Sequence, residues 1–418
     1  MVPEGWKKVP LETIAEVRPG VAKGKSGLKD PITVPYLRVA NVQDGHIDLN
    51  DVKDIQIERH QLERYSLKFG DVLMNEGGDF DKLGRGDVWQ AQIKPCLHQN
   101  HVFAVRPIPQ EMDSFYLAAL AASGYGKKYF LSCAKRSTNL ASINSTQLKE
   151  FPVLVPPLPE QKKIAKILSV WDKAITTTEQ LLTNSQQQKK ALMQQLLTGK
   201  KRFSNKINDY TYKNTKYGRI PLDWDYVAIK DICHQVSEKN NSASDYPVLS
   251  CSKHDGFVDS LKYFNKKVYS DDISGYRVIP FGAFGFPSNH IEEGSIGHQT
   301  LYDFGLVSPI YVVFKANDKK VNNEYLYALL KTEHYRQIFS AATNASVDRR
   351  GSLRWKEFSM IHVPLPSRDE QDKIALTIKV VSSEIAVIQK KLEYLKQEKK
   401  ALMQQLLTGK RRVKVDAA

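Results

Sequence analysis

The sequence predicts an α+β protein with a pseudo-two-fold internal repeat, in which two similar domains of mixed α/β structure with small sheets are separated by two long antiparallel coiled-coil helices. Three observations lead to this prediction. The stretch KKALMQQLLTGK occurs twice, beginning at Lys189 and at Lys399. An apolar heptad pattern runs through each copy, and a long segment with short β-branched runs precedes each pattern.

The repeat extends beyond these twelve residues. The same offset of 210 residues aligns EQKKIA, from Glu160, with EQDKIA, from Glu370. Farther upstream the similarity is weaker, although Trp6 still aligns with Trp224. Because the offset drifts there, we expect the two domains to share a fold and to differ in their loops.

Each long helix is predicted from apolar positions that are spaced alternately by four and three residues. Each begins after a Pro-rich entry and ends at Thr-Gly. About 40 residues at about 1.5 Å each make a rod of about 60 Å. The two stripes can cover each other, and an antiparallel pairing would place the domains at opposite ends of a molecular ruler; the alternative is two ordinary surface helices. The predicted interface residues are Ile164, Leu168, Trp171, Ile175, Leu182, Leu192, Leu196, Ile374, Ile378, Val381, Ile385, Ile388, Leu392, Leu395, Leu402 and Leu406.

The predicted division of the chain follows from this pattern. Short strands are expected at 34–39, 71–74, 102–105, 246–250 and 310–314, and a helix late in each domain at 114–132 and 323–341. The predicted segments are domain 1 (1–157), helix 1 (158–202), a polar linker (203–216), domain 2 (217–363), helix 2 (364–412) and a tail (413–418).

Composition indicates a globular protein with a polyanionic partner. The 418 residues include 61 Lys and Arg against 46 Asp and Glu, a formal net charge of +15. No stretch approaches the roughly 18 apolar residues that a membrane span needs, and the start lacks a signal-peptide pattern, so the expected location is cytoplasmic. The four cysteines form no CxxC pair, which predicts small core residues.

Catalytic motifs are missing. Residues 20–26, GVAKGKS, have three residues between the glycines where a phosphate-binding loop needs four. Cys96, His98 and His101 could bind a metal, but a polar or core role is favoured, and no metal site is predicted. No nucleophile with its base is recognisable, so the chain is predicted not to be an enzyme and to have no catalytic residues.

The arrangement resembles the specificity subunit of type I restriction-modification systems, and the resemblance covers essentially the whole chain. It rests on VPPLPEQKKIA at 155–165, VPLPSRDEQDKIA at 363–375, the doubled KKALMQQLLTGK, the openings at Trp6 and Trp224, and YLRVANVQDG at 36–45. Domain 2 departs from the last motif, since Ser250 and Ser252 stand near where domain 1 has Arg and Asn. Residues 136–138 resemble the family's Gly-Ser-Thr loop with Arg in place of Gly, and domain 2 keeps only part of that loop.

The resemblance implies that each domain is a target recognition domain, which reads one half of a bipartite double-stranded DNA site. The helices would fix the spacer between the halves and dock two modification subunits that methylate adenine N6. Restriction subunits that translocate and cleave DNA would join this core. S-adenosylmethionine, ATP and Mg are expected on these partners, and this chain itself would hold no cofactor.

Candidate DNA-contacting residues are cationic, amide or hydroxyl side chains off the strand pattern, because these types read base edges or bind phosphates. Any one of these residues could instead be a solvated surface residue or could hydrogen-bond within a turn. The prediction therefore rests on clusters of such residues and not on single positions. In domain 1 they are Lys23, Lys25, Arg38, Asn41, Gln43, Lys82, Arg85, Gln99, Asn100, Lys135, Arg136, Ser137, Thr138 and Asn139. In domain 2 they are Ser252, Lys253, His254, Asn289, His290, His298, Gln299, Arg349, Arg350 and Arg354.

Two alternatives remain open from the sequence. One is a coiled-coil scaffold without a recognition role. The other is a DNA methyltransferase or nuclease with an unrecognised site. The cations at 200–202 and 410–412 fit either DNA contact or interaction with the dipole of a helix C-terminus.

Overall fold

A computed structural model describes residues 2–22, 27–78, 80, 83–136, 140–203, 211–240, 245–344 and 351–415. The chain forms two compact units. Unit 1 is Met1–Leu181 with Ile388–Ala418, and unit 2 is Leu182–Val387. Each unit therefore contains one domain, part of its own long helix and part of the other long helix.

Unit 1 contains fourteen strands within the described ranges, four short helices and the start of the first long helix. The strands are β1 (Lys7–Pro10), β2 (Ala15–Arg18), β3 (Pro31–Leu37), β4 (Val42–Gln43), β5 (His46–Ile47), β6 (Lys53–Glu58), β7 (Val72–Asn75), β8 (Gly77–Gly78), β9 (Gly86–Val88), β10 (Leu97–His98), β11 (Val102–Pro107), β12 (Lys135–Arg136), β13 (Ala141–Ser142) and β14 (Pro152–Val155). The helices are α1 (Leu62–Tyr65), α2 (Ser114–Ala122), α3 (Gly124–Cys133), α4 (Ser145–Lys149) and the long α5 (Leu158–Leu197).

Unit 2 contains twelve strands within the described ranges, five short helices and the start of the second long helix. The strands are β15 (Tyr212–Thr215), β16 (Gly218–Pro221), β17 (Asp225–Ala228), β18 (Cys233–Val236), β19 (Leu249–Ser252), β20 (Gly256–Asp259), β21 (Arg277–Pro280), β22 (Phe284–Pro287), β23 (Gly297–His298), β24 (Phe304–Val307), β25 (Tyr311–Ala316) and β26 (His362–Leu365). The helices are α6 (Ile229–Ile232), α7 (Ser260–Phe264), α8 (Asn323–Leu330), α9 (Glu333–Asn344), α10 (Trp355–Phe358) and the long α11 (Arg368–Leu406).

The two domains share one framework, which confirms the predicted α+β fold with an internal repeat. The central sheet has the order β2-β11-β7-β9 in unit 1 and β18-β25-β22-β23 in unit 2. A separate antiparallel pair, β1 with β14 or β17 with β26, closes each domain just before its long helix. The smaller sheets differ, since β10-β3-β6 and β12-β13-β8 belong to unit 1, and β19-β20 and β21-β24 to unit 2.

Each late helix predicted from the sequence is two shorter helices. In unit 1 the break lies at Ser123, whose extended backbone ends α2 and whose hydroxyl accepts a hydrogen bond from the Gly126 N–H that begins α3. In unit 2 the Thr332 hydroxyl plays the same part for the Tyr335 N–H. A hydroxyl that caps the backbone favours a new helix start over continuation, and the apolar spacing alone did not reveal this.

The predicted linker at 203–216 is only partly a connection. Residues 204–210 lie outside the described ranges, but Tyr212–Thr215 pairs with Gly218–Pro221 as a hairpin. The hairpin ends close to Trp224, so residues 212–215 of the predicted linker form a paired strand.

The two long helices span 40 and 39 residues, as the heptad pattern predicted. Every predicted interface position along them is buried or half-buried. In unit 1 the Lys396 ammonium lies 2.7 Å from the Glu179 carboxylate, and Lys399 pairs with Asp172. The residue number rises along α11 from Lys396 to Lys399 while that of its partner on α5 falls from Glu179 to Asp172. The two helices are therefore antiparallel in this unit. No helix in the described ranges is long and apolar enough to span a bilayer.

A buried joint in unit 1 attaches the end of α11 to the domain. The Trp6 indole N–H donates to Glu160 Oε2 over 3.1 Å, and Arg412 donates two hydrogen bonds to the same carboxylate at 2.7 and 2.8 Å. The Arg412 guanidinium also lies over the Trp6 ring. Glu160 lies in the first turn of α5, so one carboxylate joins the domain, its own helix and the segment that follows the other helix.

Unit 2 repeats this joint with the helices exchanged. Trp224 donates to Glu370 Oε2 over 3.1 Å, and Arg202, which follows α5, donates to Glu370 at 2.6 and 2.8 Å. Burial lowers the pKa of Arg202, but its hydrogen bonds to Asp223 and Glu370 outweigh burial and raise that pKa above its ordinary value. Two charged hydrogen bonds to one buried carboxylate are among the stronger polar contacts that a protein makes.

The glycine that ends each long helix is required by this joint. Gly199 and Gly409 have φ of +70° and +68°. A Cβ on Gly409 would lie 2.2 Å from Pro3, and one on Gly199 would lie 2.3 Å from Pro221. The same attachment is therefore formed in both units. Its residues are the repeated Pro, Trp and Glu and the sequence Gly-Lys-(Lys/Arg)-Arg.

Candidate nucleic-acid interface

In unit 1 the loops that carry the predicted DNA-contacting residues meet at the carboxyl end of β7. Asn75 ends this strand, and its side-chain amide donates to the Val42 carbonyl over 2.8 Å. The next residue, Glu76, receives the 99–101 loop, because its N–H donates to the His101 carbonyl over 3.0 Å. The Asn75 N–H donates to the Arg85 carbonyl over 3.0 Å. Four segments far apart in sequence thus form one surface.

The β12–β13 hairpin adds the cations of this surface. It pairs with β8, directly after Glu76. Lys135 and Arg136 are exposed, and Arg136 lies 5.8 Å from the ring centre of Phe80 while it donates to the Leu131 carbonyl over 2.7 Å. The predicted readers Ser137, Thr138 and Asn139 lie outside the described residues, as do Lys23, Lys25 and Lys82.

Several predicted DNA-contacting residues form hydrogen bonds that stabilise the turn at 38–51. Asn41 is buried, accepts from the Arg38 N–H at 2.9 Å, and donates to the carbonyls of Asp48 and Asp51 at 2.9 and 3.1 Å. Arg38 pairs with Asp51 at 2.9 Å, and hydrogen bonds from Lys53 and Arg38 lower the pKa of Asp51. With its amide fully used, Asn41 positions the turn, and Gln43 bonds to the Ala40 carbonyl within it.

The loop before β11 leaves polar groups at the surface. The Val21 N–H donates to the His98 carbonyl at 2.8 Å and the Val21 carbonyl accepts from the Asn100 N–H at 3.0 Å. Asn100 is exposed and Gln99 is half-buried. A Cβ on Gly20 would lie 2.3 Å from the Gln99 carbonyl oxygen, so residues 20–21 pack against this loop only because residue 20 is glycine.

In unit 2 the corresponding end of the central sheet carries an open cleft of about 540 Å³. Ser288 follows β22 and receives the 351–354 segment, since the Leu353 N–H donates to its carbonyl over 2.8 Å. In unit 1 the Ile143 N–H makes the same bond to Glu76 at 2.9 Å. The residues that line the cleft include Cys251, Lys253, Asn289, His290, Ser295 and Tyr311.

The predicted readers of unit 2 divide into two groups. Lys253, His254, His290 and Arg354 are exposed near or on the cleft, and Asn289 is half-buried at its wall. Gln299 is buried and bonds to the Tyr302 carbonyl, while the Ser252 hydroxyl accepts from two backbone N–H groups of its own turn. His298 stacks on Phe284 at 4.6 Å. Gln299, Ser252 and His298 thus shape the loops, and Arg349 and Arg350 lie outside the described residues.

The Cys96, His98 and His101 set does not converge on a point. His98 is buried and bonds through Nδ1 to the Val102 carbonyl at 2.7 Å, whereas the exposed His101 bonds to Glu76 at 2.6 Å. Because a carbonyl only accepts, His98 Nδ1 carries a proton. Among the described residues, His290, Glu292 and Glu293 are the group of three whose ligand atoms lie within 4.8 Å of one another. His290 and Glu293 are exposed there and form an ion pair at 3.1 Å.

Burial makes the stability of unit 1 depend on the charge of His98. It lowers the pKa of His98 to about 4, against an unfolded value of about 6.5. The folded state thus binds fewer protons, so stability is lost as the pH falls through this window. We expect His98 to cost about 2–3 kcal/mol of unfolding free energy between about pH 7 and about pH 4.5.

Denaturant titration at both pH values measures this loss. The control is His98→Asn, whose amide N can still donate to the Val102 carbonyl but which cannot titrate. Its unfolding free energy should fall by about 2–3 kcal/mol less than that of the wild type. Equal losses in the two proteins would contradict a buried neutral His98.

Some residues of these surfaces were not identified from the sequence. Phe80 lies under Arg136, and the Glu76 backbone joins the 99–101 loop to Ile143, but an aromatic and a carboxylate are not base-reading types. Asn75 looked like the end of a strand, and its role in joining two loops depends on tertiary contact. Trp6, Glu160 and Arg412 were visible as repeated residues, and a search for repeated charged partners could have paired them.

Comparisons with known proteins agree with this architecture. A sequence model described as the type I restriction modification DNA specificity domain matches residues 3–187 and 221–397. The MjaVIII type I restriction enzyme specificity subunit of Methanocaldococcus jannaschii is 29% identical over 99% of this chain and 94% of its own. The fold is similar to the HsdS subunit from Thermoanaerobacter tengcongensis, with a TM-score of 0.51 at 15% identity over 98% of both chains. It is also similar, with a TM-score of 0.56 at 15% identity over 98% of this chain and 100% of the other, to a chain from a structural study of complex assembly and conformational transition of the type I R-M system.

Proposed function

The chain belongs to the type I restriction modification DNA specificity family, and on this premise we propose that each of its two domains reads one half of a bipartite DNA site. The chain is a specificity subunit and not itself an enzyme. It acts on DNA together with other subunits of a restriction-modification system. The target sequence is set by the loops at the carboxyl ends of β7 and β22.

One observation carries this proposal. The two domains have the same central sheet order and the same bond from the 143 or 353 segment to the end of β7 or β22, but different side chains there. Unit 1 presents Lys135, Arg136 and Asn100, whereas unit 2 presents Lys253, Asn289 and Arg354. A constant scaffold with variable polar loops is what two readers of different sequences require.

The positive charge supports binding without specifying sequence. With a net charge of +15, the chain attracts the phosphate backbone, and lysine and arginine contacts to phosphates fix register. Base-edge hydrogen bonds from the loops then distinguish sequences. Buried residues such as Asn41 and Gln299 contribute by holding loop shape.

The long helices are proposed to set the unread spacer and to dock two modification subunits. Support comes from their length of about 40 residues and from the joints, in which one buried carboxylate connects each domain to both long helices. A reader that is fixed to a helix at a buried bidentate contact cannot slide along it. The predicted domain limits of 1–157 and 217–363 then delimit the two readers.

The test is a genome-wide map of methylated adenines in a host that expresses this chain with its neighbouring modification subunit. The expected result is a bipartite motif, methylated once on each strand, that is absent when the modification subunit is expressed alone. A stable complex that adds no methylation would contradict the recognition role and would favour a scaffold.

A further inference from the structure

Unit 2 carries an exposed segment that the reading loops do not include. Residues 261–268, LKYFNKKV, are exposed at every position, and we call them the accessory surface. Leu261, Tyr263, Phe264 and Val268 are 53, 50, 43 and 45% exposed. Large apolar side chains that cluster on a surface indicate a binding site, whereas apolar side chains scattered singly do not.

The accessory surface is held in a defined conformation. Asp259 caps α7 by accepting from the N–H groups of Leu261 and Lys262 at 3.1 and 3.2 Å. At the other side the Tyr263 hydroxyl donates to Asp255 over 3.0 Å. The Tyr263 ring is thus anchored before any partner binds, and the Phe264 ring packs edge-on against it with centroids 5.1 Å apart.

The charged side chains of the segment are lysines, and acids beside it are engaged. Lys262 pairs with Asp259, and Lys267 pairs with Asp271. Asp255 accepts hydrogen bonds from Ser252 and Tyr263. The Lys262 side chain is 75% exposed. Among the described residues no partner contacts the Lys266 ammonium.

The accessory surface continues the reading end of the domain. Asp255, which receives the Tyr263 hydroxyl, lies in the same tight turn as Lys253, and Lys253 lines the cleft. A ligand that lies across the cleft and runs past this turn would therefore meet α7 next.

The described part of unit 1 differs at the corresponding place. The segment that follows its β5, residues 48–54, contains Asp48, Asp51 and Asp54 with Lys53 and no aromatic side chain. With this net negative charge it is less suited to a phosphate backbone, so the contact is assigned to the second domain.

We propose that residues 261–268 form a sequence-independent DNA contact, in which lysines bind phosphates beside the second half-site and Tyr263 and Phe264 pack on the adjoining sugars. The inference rests on the proposed function of the cleft. A protein partner would bury the same rings, but it would not need solvated lysines between them, whereas a DNA backbone would.

The experiment uses the complex of the full chain with its modification subunit, and a duplex with the mapped motif. Affinity is measured across a range of salt concentrations for wild type, for Lys262→Gln/Lys266→Gln, and for Phe264→Ala. The control is Lys230→Gln/Lys319→Gln, which removes two exposed lysines near the opposite end of the central sheet. Assembly with the modification subunit is checked for each variant.

The expected result separates the two contributions. Affinity falls as salt rises, so the slope of log affinity against log salt is negative. Removal of two phosphate contacts should make this slope less steep by about 2, equally for the motif and for a scrambled duplex. Phe264→Ala should weaken binding at every salt concentration without changing the slope, and the control should leave both unchanged.

Other outcomes identify which idea fails. Wild-type binding that does not distinguish the motif from the scrambled duplex contradicts the proposed function. If the wild type binds the motif selectively and the lysine variant has an unchanged slope, the proposed DNA contact of the accessory surface is wrong and the proposed function stands. Loss of modification-subunit assembly in that variant also overturns the DNA contact, and makes the surface a protein docking site.

Discussion

Replacing residues 229–361 with a second copy of residues 11–151 is expected to give the second half-site the sequence of the first. Every predicted base reader of domain 1 lies within 11–151, and every one of domain 2 lies within 229–361. The two segments end at equivalent bonds: Leu11 N–H to the Phe151 carbonyl, and Ile229 N–H to the Ile361 carbonyl, both at 2.9 Å. The exchange therefore keeps β17, β26 and the joint at Trp224 intact.

The measurement is the adenine methylation map of cells that express the hybrid with the modification subunit. The reverse hybrid, with 229–361 in place of 11–151, is the matched control and should duplicate the other half-site. A motif that keeps both original halves would contradict reading by these segments. Assembly of the hybrid is verified by its co-purification with the modification subunit, so a folding defect is recognised separately.

Removal of the Arg202 side chain is expected to cause a large loss of stability. Its side chain is 4% exposed and that of Glu370 is 8% exposed, so Arg202→Ala leaves a buried carboxylate with the Trp224 N–H as its partner in the joint. Breaking a buried ion pair by removing one partner costs about 3–5 kcal/mol. Unfolding by denaturant, followed by tryptophan fluorescence, measures the change.

Three variants make this prediction specific. Lys201→Ala removes the neighbouring exposed cation at the same helix end and should change stability by less than about 0.5 kcal/mol. Arg202→Lys keeps the charge but not the paired geometry, and should recover only part of the loss. Arg412→Ala should cost less than Arg202→Ala, because Arg412 is 44% exposed and water can reach Glu160 once it is gone. Equal effects of Arg202→Ala and Lys201→Ala would show that only the charge at the helix end matters.

The joints explain why the basic ends of the long helices could not be interpreted from the sequence. Cations at 200–202 and 410–412 fit both DNA contact and the helix dipole, and nothing local separates Arg202 from Lys201. The partner of each arginine lies 168 or 252 residues away in sequence. Only folding brings the glutamate to it.

The structure divides the predicted DNA-contacting residues by their exposure. The loops at 99–101 and 135–136 and the cleft residues Lys253, Asn289 and His290 lie where polar groups can contact a ligand. Asn41 and Gln299 have the residue types that read adenine, but both are buried and their amides are bonded within the chain. Residue type gives the chemistry of a side chain, whereas burial decides whether a ligand can use it.

The sequence by itself determined the repeat, the α+β class, the length and apolar stripe of both long helices, and the family. These properties are periodic or local, so residue spacing and repeated sequence motifs reveal them. Tertiary structure alone decided which loops converge at the ends of β7 and β22, which arginine is buried in each joint, and that the accessory surface lies beside the second cleft. Those properties depend on contacts between distant segments, whose geometry is set by packing of the two domain cores and not by any local pattern.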